Sequence, residues 1–278
     1  MSAVLGRRRL NRILWGLLLI LVALGWLLAR ESSGPPPLTP IDPDKVQAFE
    51  LHYADGEPAT IALERRAAGW SIRTPIEHPA RGPRINSTLA ILSARSEACY
   101  RTDEHTASDF GLAQPRLRLH VAERTIAFGD RAADGRRYVA TDARFCLLPD
   151  HYFPLIGRGL EQLAQTTLVP SDEGLREIAT PGAHAHKDGE QWRLERGSGD
   201  PDAWAANWRD ARIEGFILDP AKGDHGQVRL VTDESAREWR IAAREPKPIL
   251  VASDAGYGIE LAPESVQGLL APPQSARD

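Results

Sequence analysis

Two histidines and an aspartate stand close together in "HAHKD", residues 184–188, and are the best candidates for a metal site. In an extended segment His184 and His186 point to the same side, and Asp188 could add an oxygen ligand. However, the segment lies between "ATPG" and "DGEQW", which are typical of turns, and the sequence offers no third fixed ligand nearby. We therefore interpret it as a solvated hairpin tip, and His184 and His186 remain weak metal candidates.

A heptapeptide recurs in the chain and brings two aspartates to equivalent positions. "VATDARF" stands at residues 139–145 and "VASDAGY" at residues 251–257, so Asp142 and Asp254 match each other. Two such carboxylates could act as general acid and general base. An aspartate flanked by a hydroxyl residue and an alanine is also typical of a tight turn, where its side chain bonds a nearby amide. We interpret both aspartates as turn residues.

The only two cysteines, Cys99 and Cys146, permit two interpretations. In an oxidising compartment they could form one disulfide, and they could equally be two separately buried thiols. A catalytic cysteine is disfavoured, because no neighbouring residue offers the thiolate a stabilising partner.

The sequence contains none of the short motifs that organise common active sites. G-x-S-x-G, H-E-x-x-H and a phosphate loop ending in G-K-[ST] are absent, and no serine has a lysine three residues later. A hydrolase site built from scattered residues would require a pocket with converging titratable groups. We predict no catalytic residue and no cofactor.

An apolar run near the N-terminus predicts a membrane helix. Residues 13–29, "ILWGLLLILVALGWLLA", carry no charge, and residues 10–12 extend the run to the length that a bilayer requires. Four arginines within residues 7–12 precede it, and clustered arginines stay in the cytoplasm. The run is longer than a typical signal-peptide core and small residues are poorly placed for cleavage. We therefore expect a signal anchor, in contact with the bilayer through residues 13–29, that leaves the bulk of the chain in the periplasm.

The charge of the remaining chain argues against nucleic acid as a partner. All 38 Asp and Glu residues follow residue 30, whereas five of the 34 Lys and Arg residues lie within residues 1–30. The outward part is therefore acidic and has no basic excess for phosphate backbones. Thirty of the basic residues are arginine, which could grip anions, but beyond the N-terminus they are scattered along the sequence. We expect them on solvated faces.

Composition and periodicity divide the chain into five segments. Residues 1–30 form the cytoplasmic tail and membrane helix, and the proline-rich residues 31–44 are expected to form an extended linker. Residues 45–170 and 171–273 show short alternating segments typical of antiparallel strands, and residues 274–278 form a tail. In the first unit a helix is predicted to begin at Pro83, with an apolar stripe through Ile85, Leu89 and Leu92.

The second unit repeats the landmarks of the first in the same order. "WSI" at residues 70–72 matches "WRL" at residues 192–194, and each is followed by a predicted amphipathic helix. "FGLAQP" at residues 110–115 matches "FILDP" at residues 216–220, and the recurring heptapeptides follow. We interpret the units as a tandem duplication, with Cys99 in a segment that the second unit lacks.

The seven tryptophans could suggest stacking on sugar rings. Two of them lie in the predicted membrane helix, three alternate with aliphatic residues on predicted strands, and two share a helical stripe. We interpret the five tryptophans beyond the membrane helix as core residues. Exposed aromatic side chains would instead favour a periplasmic module that binds glycan or peptidoglycan.

The chain shows a distinctive order of features: a single N-terminal membrane helix, a W-x-[IL]-x-x-P strand from Trp70 to Pro75, an F-G-L-x-x-P turn from Phe110 to Pro115 and a Y-V strand. It resembles an uncharacterised bacterial family of membrane-anchored, periplasm-facing proteins, a domain of unknown function associated with gliding-motility-type ABC-transporter auxiliary proteins. The resemblance covers residues 45–170 well and residues 171–273 more loosely, and it carries over no catalytic residue.

The sequence therefore predicts an α+β fold, in which an N-terminal transmembrane helix precedes two tandem antiparallel-sheet modules, each with a packed amphipathic helix. The predicted location is a bacterial inner membrane, with the N-terminus in the cytoplasm. The resemblance implies a non-enzymatic accessory or scaffold protein of an envelope or ABC-transport-type assembly, with an envelope protein as partner. The identity of that partner and the oligomeric state are left open.

Overall fold

Two antiparallel sheets and a few short helices make up the chain in a computed structural model, in agreement with the predicted α+β class. The structure describes residues 15–24, 35–56, 58–101, 107–142, 144–170, 173–244, 248–252, 256–262 and 268–273.

The first sheet contains nine strands, all paired antiparallel, in the order β4-β3-β2-β1-β6-β7-β8-β9-β5. Their bounds are β1 (Ala48–Tyr53), β2 (Thr60–Arg66), β3 (Gly69–Thr74), β4 (His78–Pro79), β5 (Cys99–Arg101), β6 (Leu117–Val121), β7 (Arg124–Arg131), β8 (Arg136–Ala140) and β9 (Arg144–Pro149).

The second sheet contains eight antiparallel strands in the order β12-β11-β10-β14-β15-β16-β17-β13. Their bounds are β10 (Leu175–Ala179), β11 (His184–Asp188), β12 (Gln191–Arg196), β13 (Ile213–Ile217), β14 (Gln227–Thr232), β15 (Ala236–Ala243), β16 (Ile249–Ala252) and β17 (Gly258–Leu261).

The two sheets have the same strand order once β4 is set aside. In each sheet the third strand of the unit lies beside the second and the second beside the first, and the fourth is the edge strand on the far side. Each recurring heptapeptide lies at the hairpin between the last two strands of its unit, β8–β9 and β16–β17. Two copies of one ancestral unit would produce this correspondence.

Short helices cover the sheets. Helical residues 15–24 belong to α1, and the others are α2 (Gly82–Leu89), α3 (Phe153–Ile156), α4 (Leu160–Leu163) and α5 (Pro201–Asp210). The predicted helix at Pro83 ends earlier than its apolar stripe suggested, because Leu92 lies in a following 3-10 turn, Ala90–Ser93. α5 begins where the Asp200 carboxylate accepts hydrogen bonds from the amides of Asp202 and Ala203.

Alternating side chains of the strands build the core, as the sequence pattern predicted. In β1, Phe49 and Leu51 are buried while Ala48 and Glu50 are exposed. Trp204 and Trp208 of α5 are fully buried. Burying one large apolar side chain contributes roughly 1.5–3 kcal/mol, so this alternation dictates which face of each strand turns inward.

In the part of the chain that the structure describes, no helix is long and apolar enough to cross a membrane. The described part of α1 is residues 15–24, and its large apolar side chains are 48–67% exposed. The rest of the predicted span lies outside the described residues.

Two local expectations were wrong. Residues 184–188 are a hairpin tip in the prediction, but they form β11, which pairs with both β10 and β12; its only buried side chain is Ala185, which left no apolar alternation to read. Cys99 lies in β5, the counterpart of β13, and not in an inserted segment. The matched segments "FILDP" and "FGLAQP" differ in structure, because the first begins within β13 and the second begins at the last residue of a 3-10 turn, Ala107–Phe110.

The C-terminal part of the predicted proline-rich linker packs against the first unit. Leu38 is buried and its amide donates to the Ala94 carbonyl at 2.7 Å. The Thr39 amide and hydroxyl both donate to the Leu92 carbonyl, and Arg144 donates to the Pro37 carbonyl. An extended segment with free backbone groups can add to a neighbouring turn in this way, which proline content alone does not reveal.

Cys99 and Cys146 form a disulfide, one of the two states that the sequence left open. The cysteines lie directly opposite each other on β5 and β9. The bond therefore holds the short edge strand β5 to the sheet and closes a loop of 47 residues.

Replacing both cysteines by serine should lower the free energy of unfolding by about 2–4 kcal/mol, because the unfolded chain loses a long-loop cross-link. Urea unfolding of the full chain in an uncharged detergent, followed by tryptophan fluorescence, measures the difference. A reductant should destabilise the wild type and leave the double-serine variant unchanged. Equal stability of wild type and variant would contradict this role.

Candidate functional site

The two sheets meet at a connector, residues 164–167, that hydrogen-bonds to an edge of each. On the first unit the Gln165 amide donates to the carbonyl of Pro79, the last residue of β4, at 2.8 Å. On the second unit the Ile213 amide donates to the Thr166 carbonyl at 2.7 Å, at the start of β13. Both edge strands are therefore paired, and the junction is built from backbone hydrogen bonds that any sequence could make.

His78 of β4 is the central side chain of this junction. It is buried, its Nε2 lies 2.8 Å from the Gln165 carbonyl, and its Nδ1 lies 2.7 Å from the Tyr257 hydroxyl. Because a carbonyl can only accept, Nε2 carries the proton, and Nδ1 accepts from Tyr257. Burial, with a smaller contribution from the positive charge of Arg237, lowers the pKa of His78 to about 4. The ring is therefore neutral at pH 7.

An aromatic pair of the second unit surrounds the His78 ring. Phe216 and Tyr257 lie 6.2 Å apart between ring centroids, and His78 lies 5.0 Å from Phe216. Tyr257 is the last residue of the second heptapeptide. The first unit has the matching pair Phe110 and Phe145, 5.1 Å apart, so the repeated motif serves the same aromatic contact in both units.

Arg237 and Glu173 fix the other wall of the junction. Arg237 donates to the Leu168 carbonyl at 2.9 Å and to Glu173 at 3.2 Å. Glu173 is mostly buried and also accepts hydrogen bonds from the hydroxyls of Thr232 and Ser235. A partly buried pair in which both carboxylate oxygens accept hydrogen bonds favours a single arrangement of the wall.

Two cavities flank these residues and share part of their lining. One of about 680 Å³ is bounded by His78, Tyr257 and Trp239. The other, of about 730 Å³, extends along the first turn of α2 past Arg81 and Arg84. Pro79, Gln165, Pro170 and Arg237 border both, so we treat the two as one junction cleft. Each volume suits a small ligand.

Titratable groups converge in the junction cleft, but the central ones are held by internal hydrogen bonds. Both nitrogens of His78 are used, and the Thr167 hydroxyl accepts from the Gln165 side chain at 2.8 Å. A nucleophile needs a base that can take its proton, and His78 already accepts one bond and donates another. The arrangement is therefore suited to holding the units together and to binding.

The predicted metal candidates lie elsewhere, on the outer face of the second sheet. His184 lies between Glu177 and Glu195, at 3.3 and 2.8 Å, and His186 lies 3.0 Å from Glu195. Asp188 instead pairs with Arg193 at 2.8 Å, so it joins neither histidine. Among the described residues no group of three or more His, Cys, Asp and Glu side chains is arranged to hold a metal ion.

One of the two matched aspartates, Asp142, lies just after the end of β8. Asp142 follows β8 and lies 3.8 Å from Arg124, while the adjacent Thr141 amide donates to the Arg144 carbonyl at 2.8 Å. Asp254 lies outside the described residues. The neighbouring contacts of Asp142 fit a hairpin turn.

The five tryptophans beyond the predicted membrane helix are buried, namely Trp70, Trp192, Trp204, Trp208 and Trp239. They provide no open face for a sugar ring. Trp15 is 65% exposed on α1, and Trp26 lies outside the described residues.

No pattern in the sequence predicted the junction cleft. His78 is an isolated histidine before a proline, and Arg81 and Arg84 are two of many scattered arginines. Of these residues, only Tyr257 could have been singled out from the sequence, because it is the aromatic end of a recurring motif. The cleft arises because the connector brings segments about 180 residues apart together, which local patterns do not encode.

The fold defines an α+β protein of two similar sheets that are joined at a cleft. The family model described as "Domain of unknown function (DUF4340)" matches residues 70–222, more than half of the 278 residues. The chain belongs to this family. The match runs from β3 to the segment after β13, so it spans the junction and not one predicted unit. Comparisons with curated proteins and with solved structures found no match.

Lowering the pH from 7 to 4.5 should destabilise the native chain by about 2–3 kcal/mol through His78. Its pKa is 6.5 when unfolded and about 4 when folded, so the unfolded chain takes up the proton first. This stability is complete above the unfolded pKa and is lost as the pH falls toward 4. Urea unfolding at both pH values measures it.

His78→Gln should lose this share of the pH dependence and be less stable at pH 7, because it gives up the bond to Tyr257. His151→Gln, at an exposed histidine, is the matched control and should behave as wild type. An unchanged pH dependence in His78→Gln would contradict the assignment.

Proposed function

We propose that the chain is a non-enzymatic, membrane-anchored accessory or scaffold protein that faces the periplasm of a bacterial inner membrane. The observation that carries the proposal is an apolar helix with exposed side chains ahead of a disulfide-bonded body of two joined sheets. Its partner is an envelope protein, and an ABC-transport-type assembly is the class that the sequence resemblance suggests.

The exposed apolar side chains of α1 and the residues that flank it support the membrane anchor. The large side chains Trp15, Leu17, Leu18, Leu19, Ile20, Leu21, Val22 and Leu24 are all 48–67% exposed, so none is covered by the sheets. Exposed apolar side chains on every side of a helix are stable in lipid and unstable in water. The arginine cluster before α1 favours a cytoplasmic N-terminus.

The disulfide supports a periplasmic location for the body. Structural disulfides persist in the bacterial periplasm and are rare in the cytosol, where thiols are kept reduced. The bond between Cys99 and Cys146 lies within a sheet that an outward-facing body would expose to oxidation. This supports the orientation that the arginine cluster indicates.

The hydrogen-bonded junction between the two units supports the scaffold role. The connector pairs with both edge strands, and His78 bonds across to Tyr257, so both units are held in one arrangement. Fixed spacing between two surfaces suits a protein that positions partners. The internally satisfied groups of the cleft favour binding over catalysis.

Leu19→Arg combined with Leu21→Arg should shift the protein out of the membrane fraction. Each arginine near the centre of a membrane helix costs about 2.5–3.5 kcal/mol on insertion scales. Alkaline carbonate extraction with immunodetection measures the shift. Leu218→Arg, at an exposed apolar residue of the body, is the control and should leave the protein in membranes. Wild-type protein in the soluble fraction would overturn the anchor.

The partner is tested by photo-crosslinking the full chain in its native membrane, with the crosslinker at exposed positions of either unit and identification by mass spectrometry. We expect one or a few envelope proteins to be captured from defined positions. The same sites in the Leu19→Arg, Leu21→Arg chain should lose the capture. Recovery of no membrane or envelope protein would overturn the scaffold role.

A further inference from the structure

Two arginines lie side by side where α2 begins, within the larger cavity of the junction cleft. Arg81 immediately precedes α2 and Arg84 lies in its first turn, and both line the cavity of about 730 Å³. Residues three apart at a helix start lie on one side. We call Arg81, Arg84 and the first turn of α2 the arginine recess.

Arg81 is fixed in place by the connector. Its Nε donates to the Ala164 carbonyl at 2.9 Å and its Nη2 to the Thr166 hydroxyl at 3.2 Å. Burial, and secondarily the adjacent charge of Arg84, lowers the pKa of Arg81. These contacts are neutral, so they orient the guanidinium without cancelling its charge.

Arg84 has no such support. Its Nε is shielded from solvent and has no hydrogen-bond partner. Within the described part of the chain, neither Arg81 nor Arg84 forms an ion pair, whereas exposed Arg66 pairs with both Glu64 and Glu77. A shielded donor beside a like charge is unfavourable unless an acceptor joins it.

The backbone of α2 adds to this arrangement. No side chain caps the helix, Pro83 has no amide hydrogen and the Ile85 amide donates to the Arg81 carbonyl, so the amides of Gly82 and Arg84 are the ones that lack a capping acceptor. A Cβ built on Gly82 would meet nothing within 4 Å, which leaves open space beside the first turn. Amides at a helix N-terminus attract negative charge.

Two carboxylates also line this cavity, but neither neutralises the recess. Glu173 is committed to Arg237, at 3.2 Å, and to the hydroxyl of Thr232. Glu234 is exposed and forms no ion pair with either arginine of the recess. The charge at the start of α2 therefore stays positive.

We propose that the arginine recess binds a ligand bearing an oxyanion, a carboxylate or a phosphate, with the rest of the ligand in the junction cleft. The planar fork of Arg84 matches two oxygens of either anion. Arg81 and the amides of Gly82 and Arg84 supply further donors. This site differs from the scattered, solvated arginines that the sequence predicted, and it does not depend on membrane anchoring.

Isothermal titration calorimetry of the full chain in an uncharged detergent tests the proposal. Phenyl phosphate and benzoate are the probes at constant ionic strength, and benzamide is the neutral counterpart. We expect saturable binding of at least one anion and none of benzamide. The preferred anion distinguishes a phosphate source from a carboxylate source.

Arg84→Gln should weaken binding at least tenfold, and Arg84→Lys should recover part of it, because lysine restores the charge without the fork. Arg209→Gln, at an exposed arginine of α5, is the matched control and should bind as wild type. No saturable anion binding, or equal binding by wild type and Arg84→Gln, would overturn the proposal.

Thermal unfolding supplies a second readout and verifies folding. Without ligand, Arg84→Gln should unfold at the same or a higher temperature than wild type, because it removes a charge that faces Arg81. The binding anion should raise the unfolding temperature of wild type and not of the variant. An equal rise in both would place the anion elsewhere and overturn the assignment.

Discussion

The hydrogen bonds of residues 164–167 to both neighbouring edge strands are the constraint on which the molecule depends. An unpaired edge invites association with another chain, and an antiparallel sheet normally has two such edges. The connector covers β4 of the first sheet and the start of β13 of the second with one short segment. Because the same segment serves both, the sheets cannot separate without exposing backbone groups of each. The junction cleft and its side chains are positioned by this backbone arrangement.

The two units are alike in strand order but not in how they contribute to the junction. Among the described residues, the first unit alone has the additional strand β4, and this strand carries His78. The second unit contributes Tyr257, which stands where the first has Phe145. A hydroxyl at one copy of a repeated aromatic position therefore provides the donor for the histidine. Divergence between like units at a few residues is sufficient to make their contact asymmetric and specific.

Alternation and landmark order were enough to predict antiparallel sheets and two similar units, because the inward residues of strands such as β1 form a period of two. The prediction failed for β11, whose inward position is a single alanine, Ala185, and whose outer face carries charge. The cleft could not be predicted, since the connector that fixes Arg81 beside Arg84 is about 80 residues further along the chain. Pairings between distant segments decide such sites, and single-sequence patterns describe only neighbours.

The docking of Leu38 and Thr39 on the first unit has a geometric consequence for an anchored chain. If the bilayer holds residues up to Arg30, only the six residues 31–36 separate it from Pro37, which is already attached to the body. Fully stretched, such a segment reaches roughly 25 Å. The Pro37 end of the body would then stay within that distance of the lipid headgroups. An anchored body of this kind would keep its Pro37 end within reach of membrane-embedded partners.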